Sequence, residues 1–207
     1  CGGAPLSTNY LKDVFQLAKK QDIKIHIDGA RIFNAAVATK SSVAHIASYT
    51  DSITFCLSKG LSSPIGSIIC GSEEFIYQAR KIRKGLGGGM RQSGIIACLG
   101  IYSLDKMVDQ LEDDHKNAQL LASELYKVNA IDIDPSSVQT NLVYFKLSDS
   151  KIDANKFVMK CQKLGLLFYY IGSGRYRLVT HYGINETDVQ NAVDIIIKVL
   201  NLLKENN

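Results

Sequence analysis

The most constraining feature of the sequence is a helix–strand–helix–strand alternation near its start. Ser7 to Lys20 carries apolar residues at helical spacing after a Ser/Thr cap, and Ile23 to Ile27 alternates apolar and polar residues as a strand does. An Ala-rich helical pattern from Arg31 to Tyr49 follows, broken at 39–42, and Ser52 to Leu57 reads as a second strand. A crossover of about 20 residues between two strands predicts parallel neighbours in one sheet, which indicates an α/β fold.

The second half of the sequence has a different character. A third apolar run covers Ile65 to Cys70, a helix is predicted over Glu73 to Lys84, and Arg91 to Lys127 is compatible with one or two long helices. Beyond Asn129, short strand patterns alternate with helical ones, which predicts a small α+β domain. We therefore expect a large domain at 1–108 and a small carboxy-terminal domain at 109–207 that includes the bridging helix.

Composition argues against several classes of protein. The net charge is only +4 and 24 basic residues are interleaved with 20 acidic ones, so we expect no nucleic-acid partner. No apolar stretch approaches the roughly 20 residues of a membrane helix, and no pair of histidines has metal-ligand spacing. The five cysteines are odd in number and show no C-x-x-C spacing. These features predict a cytoplasmic protein with no metal and no membrane partner.

Two polar groups follow the two predicted strands. Asp28 and Arg31 come after the first, and Ser58 and Lys59 come after the second. Open α/β sheets place their sites at the carboxyl ends of strands. A lysine between Ser58 and Gly60 can form a Schiff base with an aldehyde cofactor, and a buried carboxylate can keep a pyridinium nitrogen protonated. On these residues alone, an ordinary turn at Asp28 and a solvated loop at Lys59 remain open alternatives.

Three longer motifs extend this interpretation. They are HIDGARIFNAA at 26–36, CLSKGLSSPIGS at 56–67 and LGGGMRQ at 86–92, and the pattern resumes at Thr140-Asn141 and at RLVTH, 177–181. Together they strongly resemble the low-specificity L-threonine aldolases, which are fold-type-I enzymes that use pyridoxal 5'-phosphate (PLP). The resemblance runs in register and covers most of the chain. It implies the carboxy-terminal part of a fold-type-I large domain followed by a small α+β domain.

The resemblance also implies roles for individual residues. Lys59 would carry PLP as a Schiff base, Asp28 would pair with the pyridine nitrogen, and Arg31 would lie beside the ring. Arg177 would bind the substrate carboxylate, since a guanidinium holds a carboxylate in a bidentate fork. Ser58 and Arg91 would contribute to cofactor binding, and Lys84 would contribute to substrate binding. Lys84 and Arg91 would do so by reaching the site of a neighbouring subunit in a homotetramer.

The implied reaction is the cleavage of L-threonine or L-allo-threonine to glycine and acetaldehyde. Because the family has further residues before the Cys1-Gly2-Gly3 turn, we expect this chain to be a fragment that binds PLP poorly, and the activity to belong to the intact parent. Alternatives are a PLP-dependent β-eliminating lyase or aminotransferase, or a catalytically silent truncated partner. Tyr169 and Tyr170 are interpreted as packing residues.

Overall fold

The computed structural model describes residues 2–204 and divides into two units. Pro5–Leu111 forms the first unit, and the chain from Glu112 onward, joined by the residues before Pro5, forms the second. The division falls at the start of a helix, three residues beyond the boundary that we expected after position 108. Each unit has a sheet and a hydrophobic core of its own.

The first unit is built around a three-stranded sheet with the order β1-β2-β3. Strands β1 and β2 are parallel, as the crossover predicted, and β3 is antiparallel to β2. Its elements in chain order are α1 (Thr8–Lys20), β1 (His26–Asp28), α2 (Ile32–Thr39), α3 (Val43–Ala47), β2 (Ser52–Cys56), β3 (Ser67–Gly71), α4 (Glu73–Gly85) and α5 (Gly94–Lys106). The predicted helix after the Ser/Thr cap is confirmed, because the Ser7 hydroxyl accepts the Tyr10 N–H at 3.2 Å.

Strand β1 is shorter than the alternating pattern predicted. The N–H of Ile25 donates to the Asp51 carboxylate at 2.9 Å, and the Ile25 carbonyl accepts the Thr50 hydroxyl at 2.9 Å. The Ile25 carbonyl also accepts the backbone N–H groups of Asp51 at 3.0 Å and Ser52 at 3.2 Å, and regular pairing begins at His26, opposite Ser52. The pattern over Ile23 and Lys24 therefore belongs to a loop.

The two faces of this sheet differ. Ile27, Ile53 and Phe55 pack with residues of α2 and α3 in a small apolar core. Side chains alternate between faces along a strand, so His26 and Asp28 point to the opposite side, and both are exposed. The polar face thus presents the carboxyl end of β1 to solvent.

The second unit confirms the predicted small α+β fold. Its four-stranded antiparallel sheet has the order β4-β5-β7-β6 and is covered by three helices. The elements are α6 (Leu111–Tyr126), β4 (Ile131–Asp132), β5 (Leu142–Leu147), α7 (Ala154–Lys163), β6 (Tyr169–Tyr170), β7 (Arg175–Val179) and α8 (Glu186–Lys204). Four rings occupy the centre of its core, with Phe145 stacked on Tyr176 at 5.1 Å and Phe157 and Phe168 in edge contacts.

A short segment before Pro5 contributes to the second unit. The Thr140 hydroxyl donates to the Gly3 carbonyl at 2.6 Å. Gly3 has φ +81°, and a Cβ there would lie 2.7 Å from the Leu142 Cβ. Both facts require glycine, because an L side chain would be strained in that conformation and would collide with β5.

Candidate active site

Asp28 closes β1 at a turn that only glycine fits. Asp28 pairs with Thr54 in the parallel register, and the Gly29 N–H donates to the Thr54 carbonyl at 2.8 Å. A Cβ at Gly29 would lie 2.9 Å from that same carbonyl oxygen, so the sharp bend after Asp28 requires a residue without a side chain. One Asp28 carboxylate oxygen accepts the Ala30 N–H at 3.2 Å, and the carboxylate is otherwise directed to solvent.

Lys59 lies on a closed loop between β2 and β3. The Leu57 N–H donates to the Gly66 carbonyl at 2.9 Å, and the Ser63 N–H donates back to the Leu57 carbonyl at 3.0 Å. Buried Leu57 and Leu61 anchor the loop on either side of Lys59. The Lys59 side chain is exposed, as is that of Ser58. A rigid backbone therefore presents a solvent-accessible primary amine.

Gly60 fixes the position of this loop against helix α2. A Cβ at Gly60 would lie 2.8 Å from Asn34 Oδ1 and 2.9 Å from Leu111 Cδ2. Asn34 is only 2% exposed. Sequence reasoning did not single out Asn34, although a polar residue inside the Ile32–Thr39 run of apolar and small residues was the signal that could have indicated it.

The structure brings four of the predicted residues to one end of the parallel strand pair. Asp28 ends β1, Arg31 is the N-cap residue of α2 and half-buried, and Ser58 and Lys59 follow β2. We expected a buried carboxylate at Asp28, but it is exposed here because it lies on the polar face of the sheet. A carboxylate, an amine and a guanidinium at adjacent strand ends can receive a ligand that carries both an electrophilic carbonyl and a basic nitrogen.

His26 ties the two parallel strands together beneath Asp28. Its Nδ1 lies 2.9 Å from the Ser52 hydroxyl, and its Nε2 lies 3.5 Å from the Thr54 hydroxyl. Thr54 is also the register partner of Asp28. The contacts of His26 therefore help to hold Asp28 in position at the end of β1. Its contacts are those of a structural histidine.

Lys84 and Arg91 lie on the surface around the glycine-rich loop that joins α4 to α5. The Gly88 N–H donates to the Arg83 carbonyl at 2.8 Å, which folds the loop back on the end of α4. A Cβ at Gly89 would lie 2.8 Å from the Lys84 Cδ, so the lysine side chain runs along this loop. Lys84 and Arg91 are both exposed.

Arg177 belongs to the second unit, where it occupies the centre of β7. It pairs with Tyr144 of β5 on one side and with Tyr169 of β6 on the other. On α6, Asp114 is 3% exposed and its backbone carbonyl accepts the Thr180 hydroxyl at 2.6 Å. Burial raises the pKa of Asp114 to about 6, against the opposing charge of His181.

The model of the beta-eliminating lyase family matches residues 1–148. The chain belongs to the beta-eliminating lyase family. Both Asp28 and Lys59 fall within the matched range, whereas Arg177 lies beyond it. Within residues 2–204 no helix is long and apolar enough to cross a membrane.

Two curated relatives align with most of this chain. The chain is 37% identical over 205 residues to low-specificity L-threonine aldolase 1 of Arabidopsis thaliana, covering 99% of this chain and 57% of the relative. It is 38% identical over 183 residues to the low specificity L-threonine aldolase of Escherichia coli K12, covering 88% of this chain and 53% of the relative. The chain therefore spans about half the length of these curated relatives.

A solved structure shows the same fold. The threonine aldolase of Leishmania major superposes with a TM-score of 0.71 at 19% identity, covering 94% of this chain and 57% of that one. The predicted fold, part of a fold-type-I PLP-enzyme fold, is therefore confirmed.

Proposed function

We propose that the protein containing this chain is a PLP-dependent lyase that cleaves L-threonine or L-allo-threonine to glycine and acetaldehyde. The observation that carries the proposal is the exposed Lys59 amine on a rigid loop after β2, with the Asp28 carboxylate at the end of the adjacent parallel strand. The likeness to low-specificity L-threonine aldolases over nearly the whole chain supports the choice of reaction.

The residues at the strand ends have the chemistry that PLP requires. Lys59 would hold the cofactor through its amine, Asp28 would pair with the ring nitrogen, and Arg31 and Ser58 would lie beside it. When bound, PLP supplies a sink for the electrons of the breaking Cα–Cβ bond. The negative charge of Asp28 would hold a proton on the ring nitrogen, and this strengthens that sink.

Arg177 would bind the substrate carboxylate and so fix the orientation of the amino acid. In the reaction the β-hydroxyl of threonine loses its proton as the Cα–Cβ bond breaks, which releases acetaldehyde. The Cα then gains a proton and the product is glycine. A guanidinium that holds the carboxylate orients the scissile bond relative to the cofactor plane, and orientation of this kind can lower the barrier substantially.

We further propose that the protein acts as a cytoplasmic homo-oligomer, a tetramer by resemblance, in which Lys84 and Arg91 reach a neighbouring subunit. The surface around the glycine-rich loop supports this, because Leu86, Met90 and Ile95 expose large apolar side chains next to the two cations. Such an enzyme would consume threonine and supply glycine.

Replacement of Lys59 tests the proposal. The full-length protein mixed with PLP is expected to show the visible absorbance of a lysine-bound cofactor and to release acetaldehyde from L-allo-threonine. Lys59→Ala should abolish both, because the amine is the attachment point. Lys12→Ala is the matched control, since Lys12 is an exposed lysine within helix α1 rather than after a strand.

Three other results would contradict the assignment in different ways. Cofactor absorbance without acetaldehyde release would favour the alternative lyase or aminotransferase chemistry. Acetaldehyde release that survives Lys59→Ala would remove Lys59 from the reaction. Absence of cofactor absorbance in the full-length protein would favour a catalytically silent partner.

A further inference from the structure

A row of three side chains crosses the solvent-facing side of the four-stranded sheet. Tyr144, Arg177 and Tyr169 are direct register partners on β5, β7 and β6. Directly opposed residues of a sheet point to the same face, so the arginine stands between two tyrosines. The Arg177 guanidinium carbon lies 5.7 Å from the centroid of the Tyr169 ring, which is a cation–π distance.

The charge of Arg177 is not neutralised by the residues around it. Its Nε is enclosed and has no hydrogen-bond partner within residues 2–204, and over the same range Arg177 takes part in no ion pair. The next row of side chains on this face consists of Asp132 on β4, Lys146 on β5 and Arg175 on β7, which are register partners. This row contains two basic residues and one acidic residue. Within the described residues, aromatic contact rather than an acidic side chain holds the guanidinium, and its terminal N–H groups are left for an anionic ligand.

Packing does not explain Tyr169. The neighbouring Tyr170 turns inward, with its ring 5.3 Å from Tyr176, and its hydroxyl accepts the Gly174 N–H of the β6–β7 turn at 3.2 Å. Tyr170 thus anchors the edge strand. Tyr169 remains 68% exposed, and its ring is 5.7 Å from the Arg177 guanidinium.

We propose that Tyr169 is a positioning residue that holds the Arg177 guanidinium for the carboxylate of the amino-acid substrate. The guanidinium carbon lies over the ring at 5.7 Å from its centroid, and this contact restrains the guanidinium while its terminal N–H groups can form a bidentate fork. This inference rests on the proposed function, because it takes Arg177 as the carboxylate ligand. It also replaces the interpretation of Tyr169 as a packing residue.

The test compares Tyr169→Leu with Tyr169→Phe in the full-length protein loaded with PLP. The matched control is Tyr126→Leu, because Tyr126 is in the same unit and is 66% exposed against 68% for Tyr169. The dissociation constants of glycine and of ethanolamine, an amine without a carboxylate, are read from the visible absorbance of the cofactor. The KM and kcat for L-threonine and the melting temperature are measured alongside.

Tyr169→Leu is expected to raise the dissociation constant of glycine and the KM of L-threonine about fivefold, which corresponds to about 1 kcal/mol. Ethanolamine binding and kcat should change less than about twofold, because neither depends on holding a carboxylate. Tyr169→Phe keeps the ring and should resemble the unchanged protein, as should Tyr126→Leu.

Two results would overturn the inference. One is an unchanged glycine affinity in Tyr169→Leu, and the other is an equal loss for glycine and ethanolamine, which would indicate a general structural effect. Arg177→Leu separates this failure from that of the proposed function. If Arg177→Leu weakens glycine binding and Tyr169→Leu does not, only the role of Tyr169 is wrong. If Arg177→Leu has no effect, the carboxylate assignment is wrong as well.

Discussion

Replacement of Gly60 by alanine probes the contact that fixes the Lys59 loop. The new Cβ would lie 2.8 Å from Asn34 Oδ1 and 2.9 Å from Leu111 Cδ2, whereas ordinary contacts lie at 3.4–4 Å. Asn34 is 2% exposed and Leu111 is fully buried, so neither side chain can swing into solvent. Overpacking of a buried site costs about 1–3 kcal/mol, and two simultaneous contacts place Gly60→Ala near the upper part of that range.

Urea and thermal unfolding measure the effect. A loss of about 2–3 kcal/mol corresponds to a melting temperature lower by roughly 5–10 °C for a chain of this size. Gly94→Ala is the matched control, because a Cβ at Gly94 meets nothing within 4 Å and alanine favours the helix that begins there. Gly60→Ala should also weaken PLP binding, since the loop that carries Lys59 must move. If Gly60→Ala were as stable as Gly94→Ala, the packing of this loop against α2 would be refuted.

Two further predictions concern carboxylates. Asp28→Asn should lower kcat by about a hundredfold or more, because the neutral amide would no longer hold the proton on the ring nitrogen. Asp13→Asn, on the exposed face of α1, is the control and should leave kcat unchanged. Near-normal turnover in Asp28→Asn would contradict the pairing of Asp28 with the ring nitrogen. Asp114 has a folded pKa of about 6, above its ordinary value of 3.8, so its contribution to stability is present below pH 3.8 and is lost as the pH rises to 6. Asp114→Asn should lack that loss, which amounts to about 2 kcal/mol between pH 4 and pH 7, as measured by urea unfolding at the two pH values. Equal pH dependence in both proteins would disprove the assignment.

Local chemistry made part of the site predictable. Asp28 and Lys59 each follow an apolar run, and parallel strands end at one edge of a sheet, so their common location followed from pattern alone. The cap at Ser7 was equally local, because the hydroxyl bonds an N–H three residues away. These features depend on neighbours in sequence, which periodicity reports well.

Other features depend on register and packing between distant residues. The contact between Gly60 and Asn34 arises only after the loop has closed on α2. The contact between Tyr169 and Arg177 requires β6 to pair with β7 at one particular register, and a slip of one residue would turn the tyrosine to the opposite face. Nothing in the apolar pattern of β3 distinguished an antiparallel from a parallel strand.

The hydrogen bond between Thr140 and Gly3 joins residues 137 positions apart, and it has a consequence for the order of folding. Pro5–Leu111 is continuous, whereas the second unit combines the residues just before Pro5 with those from Glu112 onward. The glycine segment is therefore synthesised well before the strand that it contacts. At about 5–20 residues per second, the delay between the two is on the order of ten seconds. The second unit cannot be completed until the residues around Thr140 have been synthesised, whereas the first unit does not depend on them.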